Sequence, residues 1–165
     1  MKTVLLLRHG KSDWDSDTGN DRDRRLAKRG RRAARVIGEM LTRTGMVPDL
    51  AVTSPAVRAA TTLELAVKAG GWDCPVQVSE ALYGEGPAAV LEEIGRQSDE
   101  VERLLLVGHE PTWSEMLGLL VGGGQHRFPT GAVATVDLEL ERWADVRPGC
   151  GLLMFLVVPR LLDGE

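Results

Sequence analysis

Two runs of four apolar residues, Val4–Leu7 and Leu104–Val107, leave no polar position to turn toward water. A run that short and that uniformly apolar fits a strand covered on both faces, and strands of that kind belong to parallel sheets flanked by helices. Leu50–Thr53 reads the same way, Pro75–Val78 is a short strand, and Gly151–Val158, apolar throughout, is predicted to be a fully buried strand. Between them lie amphipathic segments. Leu26, Gly30, Ala33, Ala34, Ile37, Met40 and Leu41 recur at helical spacing among Lys28, Arg29, Arg31, Arg32 and Arg35, so that helix buries one face. Ser54-Pro55 opens a helix running to about Lys68, with serine as cap and proline at the first position. Pro87–Arg96 is a further helix, and Pro111 opens another that ends at Gly122-Gly123-Gly124.

Short strands alternating with helices predict an α/β chain folded as a three-layer α/β/α sandwich around a mostly parallel central sheet. Ala134, Val136, Leu138 and Leu140 alternate with Thr135, Asp137 and Glu139, the period of a half-exposed strand, so Gly131–Leu140 is expected at an antiparallel edge. The 165 residues show no repeat, linker or low-complexity tract, and residues 1–165 are read as one domain. With 43% hydrophobic and 27% charged residues the chain has enough apolar material to fold, which argues against disorder. Twenty Lys and Arg against 24 Asp and Glu leave a net charge of −4, against a dedicated nucleic-acid binder. The N-terminal apolar run is too short for a signal peptide and no stretch is long enough to span a membrane. Cys74 and Cys150 are too few for a disulfide framework. A cytoplasmic protein is expected.

Two of the three histidines stand in matching places. His9 follows Val4–Leu7 and Arg8, and His109 follows Leu104–Val107 and Gly108. Ligands of open α/β sheets collect at the carboxyl ends of strands, so both imidazoles would meet at one rim. Two structural histidines are the plainer alternative. Arg58, just after the strand Leu50–Thr53, adds a guanidinium at a helix N-terminus, where free N–H groups already favour anions. With Arg8 it makes two bidentate forks at that rim. Neutral imidazole is a competent covalent nucleophile; its ordinary pKa of about 6.5 leaves it mostly neutral near pH 7, and cationic neighbours lower that pKa further. The arginines and His109 can carry the charge on a transferring phosphoryl group, so no metal ion or other cofactor is expected.

These residues resemble the histidine phosphatase (phosphoglycerate mutase-like) superfamily. Leu7-Arg8-His9-Gly10-Lys11-Ser12 is similar to its RHG signature, Ser54-Pro55-Ala56-Val57-Arg58-Ala59 to its second arginine motif, and Gly108-His109-Glu110-Pro111 to its second histidine motif. Ser79-Glu80-Ala81-Leu82-Tyr83-Gly84 resembles the segment that carries the acid of mutase-type members. The resemblance implies that His9 is the phosphorylated nucleophile, that Arg8, Arg58 and His109 hold the phosphate, and that Glu80 is the candidate proton donor. Ser12 is implied as a phosphate contact; Trp14 also matches mutase-like members, whereas Asp15 stands where they often have asparagine. About fifty residues separate Arg58 from His109, too few for the large lid of sugar-phosphate mutases. Size and motif order are most similar to the SixA-type phosphohistidine phosphatases. The expected activity is metal-independent dephosphorylation through a phosphohistidine intermediate, acting on phosphohistidine in a partner protein. A small-molecule phosphoester phosphatase with the same mechanism and a non-catalytic phosphohistidine-binding module are the alternatives.

Other signals carry less. The basic residues from Arg22 to Arg35 read as a solvated face with its preceding loop, or as an electropositive collar steering an anionic partner; Arg24 or Arg25 would reach the rim if that loop folds back. Asp13-Trp14-Asp15-Ser16-Asp17 begins like a calcium loop, but Thr18 and Arg24 stand where its glycine and glutamate belong, so it reads as a mobile loop at the pocket mouth. His126 is expected to be an exposed loop residue, and His9, His109, His126 and a cysteine have no zinc spacing. Trp72, Trp113 and Trp143 are expected to pack in the interior, with Trp113 near enough to His109 to flank the pocket.

Overall fold

The computed structural model describes residues 1–15 and 19–163. In chain order the described residues form β1 (Lys2–Arg8), α1 (Lys28–Arg43), β2 (Leu50–Thr53), α2 (Val57–Gly70), β3 (Val76–Val78), α3 (Pro87–Gly95), β4 (Arg103–Gly108), α4 (Thr112–Val121), β5 (Val133–Leu138) and β6 (Gly151–Val157). The strands make one sheet in the order β3-β2-β4-β1-β5-β6. From β3 to β1 all neighbours are parallel; β5 runs antiparallel to β1, and β6 antiparallel to β5. None of the described helices is long and apolar enough to cross a membrane.

The uniform apolar runs are explained by a core on each face of the sheet. Leu5 and Leu7 of β1, with Leu105 and Val107 of β4, pack under Ile37 and Leu41 of α1 and Leu63 of α2. The alternating residues Val4, Leu6, Leu104 and Leu106 pack on the other face with Val90 and Ile94 of α3 and Trp113, Met116 and Leu120 of α4. Two helices on each face complete the three layers expected from the sequence. Trp113 and Trp143 are fully buried and Trp72 nearly so, which places all three as packing residues.

The last two strands exchange the roles read from their patterns. β5, expected at the edge, lies between β1 and β6, and β6, expected to be fully buried, is the edge. Thr135 is completely buried, and Asp137, half-buried, accepts from the Thr3 hydroxyl at 2.8 Å across the β1 neighbour. Conversely Leu152 and Met154 are 57% and 55% exposed. Alternation reports which face a side chain takes, whereas coverage depends on how far the helical layers extend, and they leave the start of β6 bare. The pairing of β5 with β6 also slips between Thr135 and Val136, the signature of a bulge.

Just after β1 two glycines let the chain pass in contact with the start of α1. A Cβ on Gly10 would lie 2.5 Å from the Gly30 carbonyl oxygen and 2.8 Å from its Cα, and one on Gly30 would strike the backbone of Lys11. This contact seats the start of α1 directly against the residue after His9. The variant Gly30→Ala is therefore expected to lose about 1–3 kcal/mol of stability through overpacking against backbone. A lowered midpoint in urea denaturation checks it, and an unchanged midpoint would mean the two segments separate freely.

Candidate active site

Three strand ends build the site. His9 follows β1, and its backbone is held on both sides: its N–H donates to the Gly108 carbonyl at 3.1 Å, and its carbonyl accepts from Gly131 N–H at 2.9 Å. The Gly10 N–H donates to the Thr62 hydroxyl at 3.1 Å, which in turn donates to the Arg58 carbonyl at 2.7 Å, tying the turn to α2. His109 follows β4, where a Cβ on Gly108 would lie 2.5 Å from the Trp113 ring. Only glycine lets that indole fill the core beneath the second histidine.

The two rings lie with centroids 5.1 Å apart. His9 Nδ1 is 2.7 Å from the Gly10 carbonyl oxygen; a carbonyl only accepts, so Nδ1 carries the proton and Nε2 holds the lone pair. Burial, opposed by that bond and reinforced by the charges of His109, Arg58 and Arg8, lowers the His9 pKa to about 3. Burial and Arg58 lower that of His109 to about 4, against the pull of Asp21. The arginines lower the His9 pKa in the direction the sequence indicates, and removal from water is the larger cause. His109 Nε2 lies 2.7 Å from the Ser54 hydroxyl, and its Nδ1 is buried without a partner among the described residues. Ser54 is thus not the helix cap expected of it: α2 starts only at Val57, and the hydroxyl is used by His109 and by Ala56 N–H.

Arg8, Arg58 and His109 are brought to His9, as the sequence indicated. Arg58 is buried, with Nη1 donating to the Asp21 carbonyl at 2.7 Å and Nη2 to the Asp21 carboxylate at 2.9 Å. Arg24 is also buried, donating through Nη2 to Asp21 at 2.9 Å and through Nη1 to Ser12. The loop before α1 does fold back, and Arg24 rather than Arg25 takes the place. Ser12 is therefore engaged by an arginine. Arg8 donates through Nη1 to the Phe128 carbonyl at 2.9 Å. All three arginines are gripped through their terminal nitrogens, and each keeps a buried Nε–H with no acceptor among the described residues. Unmet donors of this kind are rare in folded proteins, and three of them belong to the arginines of this site.

Asp21 and Tyr83 escaped the sequence reading as site residues. The Tyr83 hydroxyl donates to Asp21 at 2.7 Å, and its ring meets His109 edge-on at 5.4 Å. Burial alone would raise the Asp21 carboxyl, but the Tyr83 hydroxyl and the Arg24 and Arg58 guanidiniums hold it well below the usual carboxylate range. The acid–base alternation Asp21-Arg22-Asp23-Arg24 was its only local signal. Glu80 stands outside this cluster, exposed and paired with Arg22. The Asp-rich segment expected at the mouth runs into residues 16–18, outside the described ones; in its described part the Arg24 guanidinium lies 3.6 Å from the Trp14 ring centroid. Among the described residues no group of three or more His, Cys, Asp or Glu side chains is placed to hold a metal ion. His126, read as an exposed loop residue, is half-buried and lines an open cavity of about 600 Å³ beside Arg8, with Glu110, Arg127 and Pro129.

Residues 4–84 match the profile of the histidine phosphatase superfamily, branch 1. An uncharacterised protein of Mycobacterium tuberculosis is 38% identical across 93% of this chain and its own full length. The chain belongs to the histidine phosphatase superfamily. Within it, the structure provisionally named phosphohistidine phosphatase SixA from Nakamurella multipartitia superposes with a TM-score of 0.83 at 28% identity, covering 96% of both chains. Another so named, from Agrobacterium tumefaciens, gives 0.80 at 26% identity over 96% of this chain and 98% of its own. This histidine phosphatase is accordingly a hydrolase with the phosphoglycerate mutase-like fold.

Two measurements follow from the geometry. Asp21→Ala releases Arg58 and Arg24 together, and kcat/KM is expected to fall about tenfold or more, with partial recovery in Asp21→Asn, whose amide oxygen still accepts. Equal activity in all three proteins would remove Asp21 from the site. Both histidines are neutral in the fold but take up protons near pH 6.5 once unfolded, so stability present above that pH is lost as pH falls toward about 4. The urea midpoint should drop between pH 7 and pH 5, and the drop should shrink in a His9→Gln/His109→Gln variant.

Proposed function

We propose that the protein hydrolyses phosphohistidine on a partner protein, through a phosphorylated His9 and without a metal ion. The observation that carries the mechanism is the state of His9: neutral, with Nδ1–H committed to the Gly10 carbonyl and the Nε2 lone pair free, inside a ring of arginines. That lone pair attacks phosphorus while Arg8, Arg58 and His109 stabilise charge on the phosphoryl oxygens. The bond to the leaving nitrogen breaks, and the departing imidazole takes a proton. Water then attacks the phosphorus on His9, the P–N bond breaks, and inorganic phosphate leaves with His9 restored.

Two features support a protein-borne phosphohistidine over a small phosphoester. The chain between Arg58 and His109 is occupied by the rest of α2, by β3, α3 and β4, leaving no insertion to close over a small substrate. Glu80, the proton donor implied by the family likeness, is exposed on the rim and bonded to Arg22. Imidazole is a leaving group that needs less help from an acid than an alkoxide does, so such a site suits phosphohistidine. We assign Glu80 at most the final proton transfer to poorer leaving groups. The SixA-named structures fit the same reading.

The test compares phosphate release, in EDTA, from a histidine-phosphorylated protein and from p-nitrophenyl phosphate. Release from the protein is expected to have the higher kcat/KM, and His9→Ala to lower it by about a thousandfold or more. Glu80→Gln should leave release from phosphohistidine within about threefold of the parent. Equal kcat/KM for both substrates would favour the phosphoester phosphatase, and binding of the phosphoprotein without any release would favour the binding module.

A further inference from the structure

Beside the candidate active site, a cavity of about 430 Å³ opens between the start of α1 and the segment after β6. Its lining is strongly one-signed. Lys11, Arg29, Arg32, Arg127 and Arg160 face it, and among the described residues one carboxylate does, Asp163, which lies 3.7 Å from Arg32. The whole chain carries a net charge of −4, so this is a local segregation of positive charge and not a property of the composition. Cations drawn from four separate stretches of chain thus line one hollow, and their summed positive potential draws an anion toward it.

The cavity is continuous with the catalytic rim in the chain itself. Lys11 is the second residue after His9, with only Gly10 between them. Arg127 and Pro129 flank Phe128, whose carbonyl grips Arg8, and both line this cavity as well as the open one beside Arg8. Through Lys11, Arg127 and Pro129 the cavity adjoins the rim at which a phosphoryl group would meet His9. The hollow is several side chains wide, and its aliphatic parts, Ala33, Val158 and Pro159, suit the stems of such chains.

We propose that this basic cavity is a docking subsite for acidic side chains lying next to the phosphorylated residue of the partner protein, so that the enzyme selects phosphohistidine in an acidic sequence context. The inference rests on the protein-substrate reading above and names the chemistry of the partner surface. Long-range attraction of this kind raises the rate of encounter and weakens with salt.

Binding can be read separately from catalysis with unphosphorylated peptides, labelled for fluorescence anisotropy, in which a central histidine is flanked by glutamates or by glutamines. The glutamate peptide is expected to bind at least about tenfold tighter at low salt, with the difference shrinking at high salt. In Arg29→Glu/Arg160→Glu the preference should vanish while p-nitrophenyl phosphate turnover is retained, since neither residue belongs to the catalytic cluster. Equal binding of the two peptides, or a preference that survives the double reversal, overturns the subsite. So does tripolyphosphate binding more tightly than the glutamate peptide and losing its hold in the double variant, which would mark a small-anion site instead. Failure of the phosphohistidine reading would appear elsewhere, as no phosphate release from a phosphorylated peptide that nonetheless binds.

Discussion

The end of β1 is held where the sheet changes direction, and the site depends on that hold. On one side β1 is parallel to β4; on the other it is antiparallel to β5. His9, one residue beyond the strand, keeps a backbone bond to each neighbour, to Gly108 and to Gly131. Its side chain is therefore placed by the sheet and not by a loop, and the tight contact of Gly10 with Gly30 brings α1 and its basic first turn against it. His9, the second histidine beside it and the basic cavity two residues further on all inherit their positions from this junction.

Electrostatics in the site are organised by an acid. Gathering Arg8, Arg24 and Arg58 around two histidines would be unfavourable without a counter-charge, and Asp21 supplies it while Tyr83 donates to the same carboxylate. Asp21 grips terminal nitrogens of Arg24 and Arg58, and the Phe128 carbonyl one of Arg8, which orients the three guanidiniums. Burial then keeps both histidines neutral. A neutral nucleophile within a cationic pocket is the combination that phosphoryl transfer to nitrogen requires.

Much of this was legible in the residues. Uniform apolar runs marked β1, β2 and β4, because strands buried on both faces admit nothing else, and Arg8, His9, Arg58 and His109 stood at their ends. The misreadings have one physical origin. β5 and β6 were exchanged because a strand's pattern shows how its side chains alternate, while its place in the sheet is set by which neighbours it pairs with and where the helices stop. Ser54 was assigned to the nearest helix end because capping is local; its bond to His109 spans 55 residues of sequence.

The sequence by itself determined the layered α/β class, the strands that carry the candidate site residues and the identity of the two histidines and two arginines, since these follow from short-range pattern and motif. Only the tertiary structure decided that Asp21, Arg24 and Tyr83 join them, that Glu80 stays outside, and that Lys11, Arg29, Arg127 and Arg160 face one hollow. Those facts are contacts between distant segments. A charged side chain has the same sequence signature whether it meets water or a partner brought to it by the fold.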